Sequence, residues 1–314
     1  MNVSDANLAA LLLTNRIVEL GEKPLSAAEF WALCSVVSDP SLLLGMPSAD
    51  IAEKAGLTLA EAQRYAALLA GGTAFAFEPE RLEEEGVRLI SALDDAFPQR
   101  VRRRLGANCP AFLLIAGPME LLSMPAIGVV GSRDASEAAM SVASNAARVA
   151  VSGGRAVVSG LARGIDQAAI RAASEVGGAV VGVPAEGLRV AARNADVRSR
   201  VHAGELCMAS PYAPSARFTA GNAMGRNRIV YALAEVTLVV CSDVGSGGTW
   251  EGAKEAHRRH FGHVAVWHGD GEGPGNATLV GFGMMPVSDV RSLLDPVDVL
   301  ADAPNSEQQV LFGD

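Results

Sequence analysis

Beyond Pro125 the chain settles into short apolar runs separated by longer mixed stretches. Where one hands over to the other stands a cluster of glycine, small hydroxyls and arginine. Four clusters follow in order: Gly128-Val129-Val130-Gly131-Ser132-Arg133, Ser159-Gly160-Leu161-Ala162-Arg163-Gly164-Ile165-Asp166, Gly225-Arg226-Asn227-Arg228, and Ser246-Gly247-Gly248-Thr249-Trp250-Glu251. Apolar runs at 126–130, 156–158, 179–183, 205–209, 237–241 and 264–267 predict strands, while 136–151 and 166–176 predict helices. Short apolar strands alternating with helices make a parallel sheet covered on both faces. Ligands of such sheets sit beyond the carboxyl ends of the strands, where these clusters fall. Glycine lets backbone N–H groups approach a phosphate, and a helix N-terminus adds positive potential. The clusters therefore predict a pocket for nucleotides or a nucleic-acid backbone.

Composition pulls the other way. The formal charge is −9, and aromatic residues make up only 5% of the 314-residue chain. A general polyanion binder is usually basic, and a long base-stacking platform needs aromatics. The charge is uneven, however. Acidic residues crowd 78–95, whereas Arg189, Arg193, Arg198, Arg200, Arg217, Arg226 and Arg228 face only Asp196 and Glu205. A local basic face on an acidic protein is consistent with that pattern.

Upstream of about residue 70 the chain reads as helices. Residues 8–19 are apolar and amphipathic, Ser26-Ala27-Ala28-Glu29 is a capping box, and 48–62 reads as two short helices joined at Gly56. No basic recognition face follows this pair, so it reads as a packing or interaction module rather than a DNA reader. Strands are expected at 87–91 and 111–116. The expected domains are thus a helical one over 1–75, the α/β domain over 76–285 and a C-terminal extension over 286–314.

Cys34, Cys109, Cys207 and Cys241 lack a C-x-x-C pair and fit reduced thiols in a cytoplasmic protein. No leader pattern or membrane-spanning run is read in the chain, and no membrane association is expected. His257, His260, His263 and His268 could bring two imidazoles onto one helix face. No carboxylate or cysteine completes a metal set, and a surface helix end is the expected reading. Without a P-loop or grouped carboxylates, no nuclease or NTPase centre and no cofactor is expected. Asp166 reads as a helix-start residue organising its turn, not as an acid catalyst.

These motifs resemble those of the DNA-processing protein DprA/Smf family. The residues that carry the likeness are Gly131-Ser132-Arg133, Ser159 through Asp166, Arg226-Asn227-Arg228, Leu238-Val239-Val240 and Ser246 through Thr249, with Phe97-Pro98 and Pro110 to Leu114 upstream. The resemblance implies an extended Rossmann-like, doubly wound, mainly parallel α/β domain that binds single-stranded DNA. It also implies a homodimer that helps load the RecA recombinase during natural transformation and DNA recombination. Carried over by position, Gly131, Ser132, Arg133, Ser159, Gly160, Arg163, Gly164, Arg226, Asn227 and Arg228 should line the phosphate pocket, with Ser246, Gly247, Gly248 and Thr249. The chain departs from the family pattern in Glu137-Ala138-Ala139 and in Ile229 to Ala234. The frequent C-terminal winged helix has no counterpart after Leu300. These departures describe a divergent branch.

Other readings stay open on the sequence. Ser246 to Glu251 also resembles the glycine-threonine-glutamate signature of nucleoside-monophosphate phosphoribohydrolases, in which case Arg228 and Glu251 are the candidate catalytic pair. Sensing of a small nucleotide through the same pocket is a third reading. Finally, Gln308-Gln309-Val310-Leu311-Phe312 resembles the peptide that docks on bacterial sliding clamps, with Gln308, Leu311 and Phe312 as its anchors.

Overall fold

A computed structural model of the chain describes residues 4–14, 17–18, 21–75 and 78–295. The clamp-like peptide with Gln308, Leu311 and Phe312 lies outside the described residues. The described residues fall into two compact units, one built on those up to 115 and the other on 116–295, with 211–214 counted with the first.

The first unit carries helices α1 (Asp5–Thr14), α2 (Ala27–Val36), α3 (Ser48–Ala55), α4 (Leu59–Leu69), α5 (Gly72–Phe75) and α6 (Glu78–Glu84). Strand β1 (Val87–Ser91), α7 (Gln99–Leu105) and strand β2 (Phe112–Ala116) follow, and the two strands pair. Helix α1 begins before the expected residue 8 because the Ser4 carbonyl accepts the Leu8 N–H. Gly56 closes α3 in the left-handed conformation, and Thr58 with Glu61 caps α4. Trp31 donates its indole N–H to the Cys109 carbonyl at 2.7 Å, tying α2 to the lead-in to β2. The unit extends past the sequence-based limit of 75 because α1 and α6 pack on β1.

The capping box at α2 is formed as expected. Glu29 accepts from the Ser26 N–H at 2.7 Å, Ser26 accepts from the Glu29 N–H at 3.2 Å, and Arg64 pairs with Glu29 at 2.9 Å. Burial raises the Glu29 pKa, but the Ser26 N–H, the Ser26 hydroxyl and Arg64 outweigh it and hold this carboxyl at about 2. A carboxyl depressed on folding stabilises the native state above its unfolded pKa and loses that contribution as pH falls through the folded value. Glu29→Gln is therefore expected to lower stability at pH 7, with the deficit shrinking between pH 4.5 and 2. Urea unfolding of both proteins across that range checks it; a deficit that does not narrow would contradict the assignment.

The second unit is the α/β domain. Its strands are β3 (Ala126–Val130), β4 (Ala156–Ser159), β5 (Val180–Gly182), β6 (Leu206–Ser210), β7 (Val236–Val239), β8 (His263–Trp267) and β9 (Met285–Val287). They lie in the order β6-β5-β4-β3-β7-β8-β9, and every pair is parallel. Strands β3 to β7 are buried along their whole length, which is why they read as unbroken apolar runs. Helix α8 (Glu137–Ser152) packs closely on α9 (Ile165–Glu175). The approach is possible because α8 buries only alanines: Ala139, Ala143, Ala146, Ala147 and Ala150. After β5 come α10 (Leu188–Ala191) and α11 (Ala195–His202). Helix α12 (Ala220–Leu233) packs on α13 (Gly248–Arg259) and against β3, β4 and β7.

Beyond one-residue shifts at several element ends, two details differ from the sequence reading. Strand β7 ends at Val239 rather than 241: Val240 still donates to the last residue of β3, Val130, but the Cys241 carbonyl accepts from Ser132 in the turn that follows β3. Past α14 (Asn276–Gly281), β9 and a 3₁₀ turn at Val290–Leu294 join the second unit, so the extension expected from 286 begins inside it. The turn is held by Arg155, whose guanidinium donates to the Leu294 carbonyl at 3.3 Å.

Cys109, Cys207 and Cys241 are buried free thiols, and burial pushes Cys34 up to about 12. Among the described residues, no helix is long and apolar enough to cross a membrane, and no three histidine, cysteine or carboxylate side chains gather as a metal site. His257 lies in the last turn of α13 and His260 caps it in the left-handed conformation, while His268 pairs with Glu272.

Candidate functional site

The order of strands reverses at β3: β4, β5 and β6 run to one side, β7, β8 and β9 to the other. At such a switch point the loops leaving neighbouring strands diverge and open a crevice. Here they open a cavity of about 520 Å³ above the ends of β3 and β7.

Three strand-end loops, helix α12 and the segment that leads into it build the cavity. After β3 comes the Gly131–Asp134 turn. Gly131 has no room for a side chain, since a Cβ there would stand 2.6 Å from the Ile165 side chain. After β4 comes the turn 160–164, with Gly164 at φ +80° directly against the Ser132 and Arg133 carbonyls. Leu161 takes the left-handed conformation, φ 60°, and lays its side chain over the bare Cα of Gly182. After β7 the loop Asp243–Gly247 enters α13, which has no side-chain N-cap. Its anchor is Asn276, 1% exposed, which accepts from the Ser242 N–H at 3.0 Å and donates to the Val240 and Trp267 carbonyls, each at 2.8 Å. Helix α12 and the segment that leads into it supply the remaining wall.

The sequence-predicted residues divide. Gly131, Ser132, Arg133, Arg226, Asn227, Ser246, Gly247, Gly248 and Thr249 line the cavity; Ser159, Gly160, Arg163, Gly164 and Arg228 do not. Ser159 is buried and spends its hydroxyl on the Val129 carbonyl at 2.6 Å. Asn227 holds the Gly248 carbonyl at 3.0 Å, bracing the start of α13.

The four arginines have different fates. Arg133 lies 4.8 Å over the Phe218 ring and has no carboxylate partner among the described residues. Arg163 is exposed and paired with Asp134. Arg228 is gripped by both oxygens of Glu255, at 3.0 and 3.1 Å, outside the cavity. Arg226 is 5% exposed and faces Asp166 at 3.5 Å. Asp166 in turn accepts from the Gly160 N–H at 3.1 Å and the Ala162 N–H at 3.3 Å. The expectation that the Gly160 N–H stands free for phosphate is thus corrected: the protein's own carboxylate takes it. Burial pushes the Asp166 carboxyl above the usual range, opposed by Arg226 and by the two N–H groups.

The cavity carries carboxylates as well: Asp134, Asp166, Asp243 and Glu251. Three have cations beside them, Arg163, Arg226 and Lys254 respectively for Asp134, Asp166 and Glu251. The wall is therefore closer to neutral than the chain as a whole.

Residues 88–295, more than half of the chain, match the family model for DNA recombination-mediator protein A. The chain belongs to this family. Within the recombination-mediator family, the DNA processing protein DprA of Streptococcus pneumoniae is 32% identical over 175 residues, which cover 55% of this chain and 61% of that protein. The match thus spans less than two thirds of that relative. The crystal structure of the same S. pneumoniae protein superposes with a TM-score of 0.72 at 23% identity, covering 95% of this chain and 99% of that one. DNA processing protein A from Helicobacter pylori, a protein with a unique single-stranded DNA binding mode, superposes with a TM-score of 0.56 at 20% identity, covering 67% and 94%. These superpositions show the Rossmann-like fold of the family.

Sequence reading missed Phe218, which follows Arg217 in a stretch without strand or helix and is 48% exposed. An aromatic directly after arginine in a Pro- and Ser-containing loop was the available signal. Trp250 is buried, edge-on to Phe282, and does not line the cavity.

Proposed function

We propose that the chain binds single-stranded DNA at the switch-point cavity and acts as a non-catalytic DNA-processing protein in DNA uptake and recombination. The observation that carries this reading is Arg133 stacked on Phe218 at the cavity wall. A guanidinium without a carboxylate partner supplies charge-assisted bonds to a phosphate, and the exposed ring offers a face to the adjoining base. Family membership and the single-stranded DNA binding of the H. pylori relative support it. Ser132, Asn227 and the start of α13 at Ser246 to Thr249 complete the proposed contact surface. Self-association and handover of DNA to RecA belong to the same proposal and rest on family membership alone; docking of Gln308, Leu311 and Phe312 on a sliding clamp rests on the sequence.

The phosphoribohydrolase reading is less well supported, because Glu251 lines the cavity whereas Arg228 is tied to Glu255 outside it.

Anisotropy titration of a labelled oligothymidylate across a salt series tests the proposal. Each phosphate neutralised on a single strand contributes roughly −0.7 to the slope of log K against log salt. With Arg133 as the cavity arginine not held by a carboxylate, a shallow slope of about −0.7 is expected. Arg133→Ala should weaken binding by about 1.5–3 kcal/mol, the range for hydrogen bonds to charged groups. A folded Arg133→Ala protein that binds like wild type would remove the assignment. Binding of AMP but of no oligonucleotide at low salt would replace it with nucleotide sensing, and release of free adenine would restore the enzyme.

A further inference from the structure

We propose that Asp166 is a built-in anion occupying the place a phosphate would take in the turn 160–164, and that Arg226 is its counter-ion, so that both are positioning residues that do not touch the nucleic acid. The inference rests on the single-stranded DNA reading and narrows it: phosphate is confined to the side of the cavity formed by Ser132, Arg133 and the start of α13.

Four observations converge. The Asp166 Oδ2 atom accepts from the N–H groups of Gly160 and Ala162, the donors that a Gly-rich turn otherwise offers to a phosphate oxygen. A second anion brought to those donors would meet a carboxylate already seated there, and like charges that close repel strongly in a buried setting. The Arg226 guanidinium faces the same carboxylate at 3.5 Å, and the two side chains are 6% and 4% exposed. The guanidinium lies so close over Gly160 that any Cβ there would fall on it, which explains a glycine at a position with ordinary backbone torsions. Finally, Arg226 Nε is sealed from solvent with no hydrogen-bond partner among the described residues, so even its spare donor is out of reach of a ligand entering from outside.

The glycine motif and the arginine of the third cluster thus form one internal device. Asp166 fixes the turn, Arg226 neutralises Asp166 and lies over Gly160, and Gly164 sets the turn against the carbonyls of Ser132 and Arg133. Through that contact the device fixes the backbone that carries Arg133.

Two measurements separate positioning from contact. In the first, amide hydrogen exchange is followed at Gly160 and Ala162 without ligand. Asp166→Ala should speed both amides by at least about tenfold, while Val157 and Val158 in β4 keep their protection; Asp166→Asn, which retains an acceptor oxygen, should restore much of it. Unchanged exchange at Gly160 and Ala162 in Asp166→Ala would overturn the proposal, whatever the protein binds. In the second, oligothymidylate affinity is measured against salt. Arg226→Met should weaken binding by about tenfold with the wild-type slope, whereas Arg133→Ala should flatten the slope by roughly 0.7, the loss of one phosphate contact. If Arg226→Met does not fold, Arg226→Lys provides the same readout and should also keep the slope. A slope flattened by either substitution at Arg226, as by Arg133→Ala, would make Arg226 a phosphate ligand and overturn the assignment. Wild-type protein that binds no oligothymidylate would sink the function reading, and the exchange experiment would still decide the role of Asp166.

Discussion

Gly164→Ala should lower stability by about 2–6 kcal/mol, summing strain of about 1–3 kcal/mol for an unfavourable backbone region with about 1–3 kcal/mol for overpacking. Gly164 has φ +80° and ψ −124°, which side-chain-bearing residues rarely adopt. Its Cβ would also stand 2.5 Å from the Ser132 carbonyl oxygen and 2.7 Å from that of Arg133. These are backbone atoms in a turn, so no side chain can rotate away to make room. Gly154→Ala is the control: it has φ +70° but nothing within 4 Å of the new Cβ, so it carries the torsional cost alone. Urea unfolding of both variants isolates the close approach. Equal losses for the two would mean that the turns after β3 and β4 do not meet as described.

Asn276→Ala should cost about 2 kcal/mol or more, because it strands two buried backbone groups and a half-buried third at once. The Ser242 N–H loses its acceptor, and the Val240 and Trp267 carbonyls lose their donor. Each buried group left unsatisfied costs about 1–3 kcal/mol. Asn276→Asp keeps an acceptor for Ser242 but turns carboxylate oxygens toward two carbonyls, so it should not rescue. The damage should spread to the cavity, since Ser242 precedes the loop that carries Asp243 and Ser246. Faster amide exchange from Ser242 to Gly248, with β4 unaffected, is the expected signature. A loss below about 1 kcal/mol would show that the three groups find other partners.

What the sequence made legible followed from local physics. Strands β3 to β6 read out because a parallel strand buried on both faces must be apolar throughout, and β1 is found within the limits its pattern predicts. The caps at Ser26 and Thr58 are encoded within four residues, and only the first was read. What stayed illegible was decided over longer distances. Strand β9 is three residues long and contains Pro286, a residue confined to sheet edges and too weak a signal to stand out. Helix α12 carries Gly221 and Gly225 among polar residues and has no apolar stripe, because its second half is buried nearly all round. The arginines were the hardest. Arg133, Arg163, Arg226 and Arg228 all follow glycine-rich or polar clusters, yet their ends are assigned by Phe218, Asp134, Asp166 and Glu255, which lie 27 to 85 positions away along the chain. Spacing locates such a cluster; only the packed partner tells which guanidinium remains for a ligand.

The left-handed Leu161 leaning on Gly182 also shapes how this turn can evolve. Its torsion carries strain on the order of 1–3 kcal/mol, yet its side chain covers a Cα where a Cβ would stand 2.8 Å from Leu161 Cδ1. Glycine at 161 would relieve the torsion and uncover β5, whereas alanine at 182 would displace the leucine. Neither position can drift without the other, so in a lineage of such proteins the two should change as a pair: a larger residue at the place of Gly182 accompanied by a smaller one at the place of Leu161.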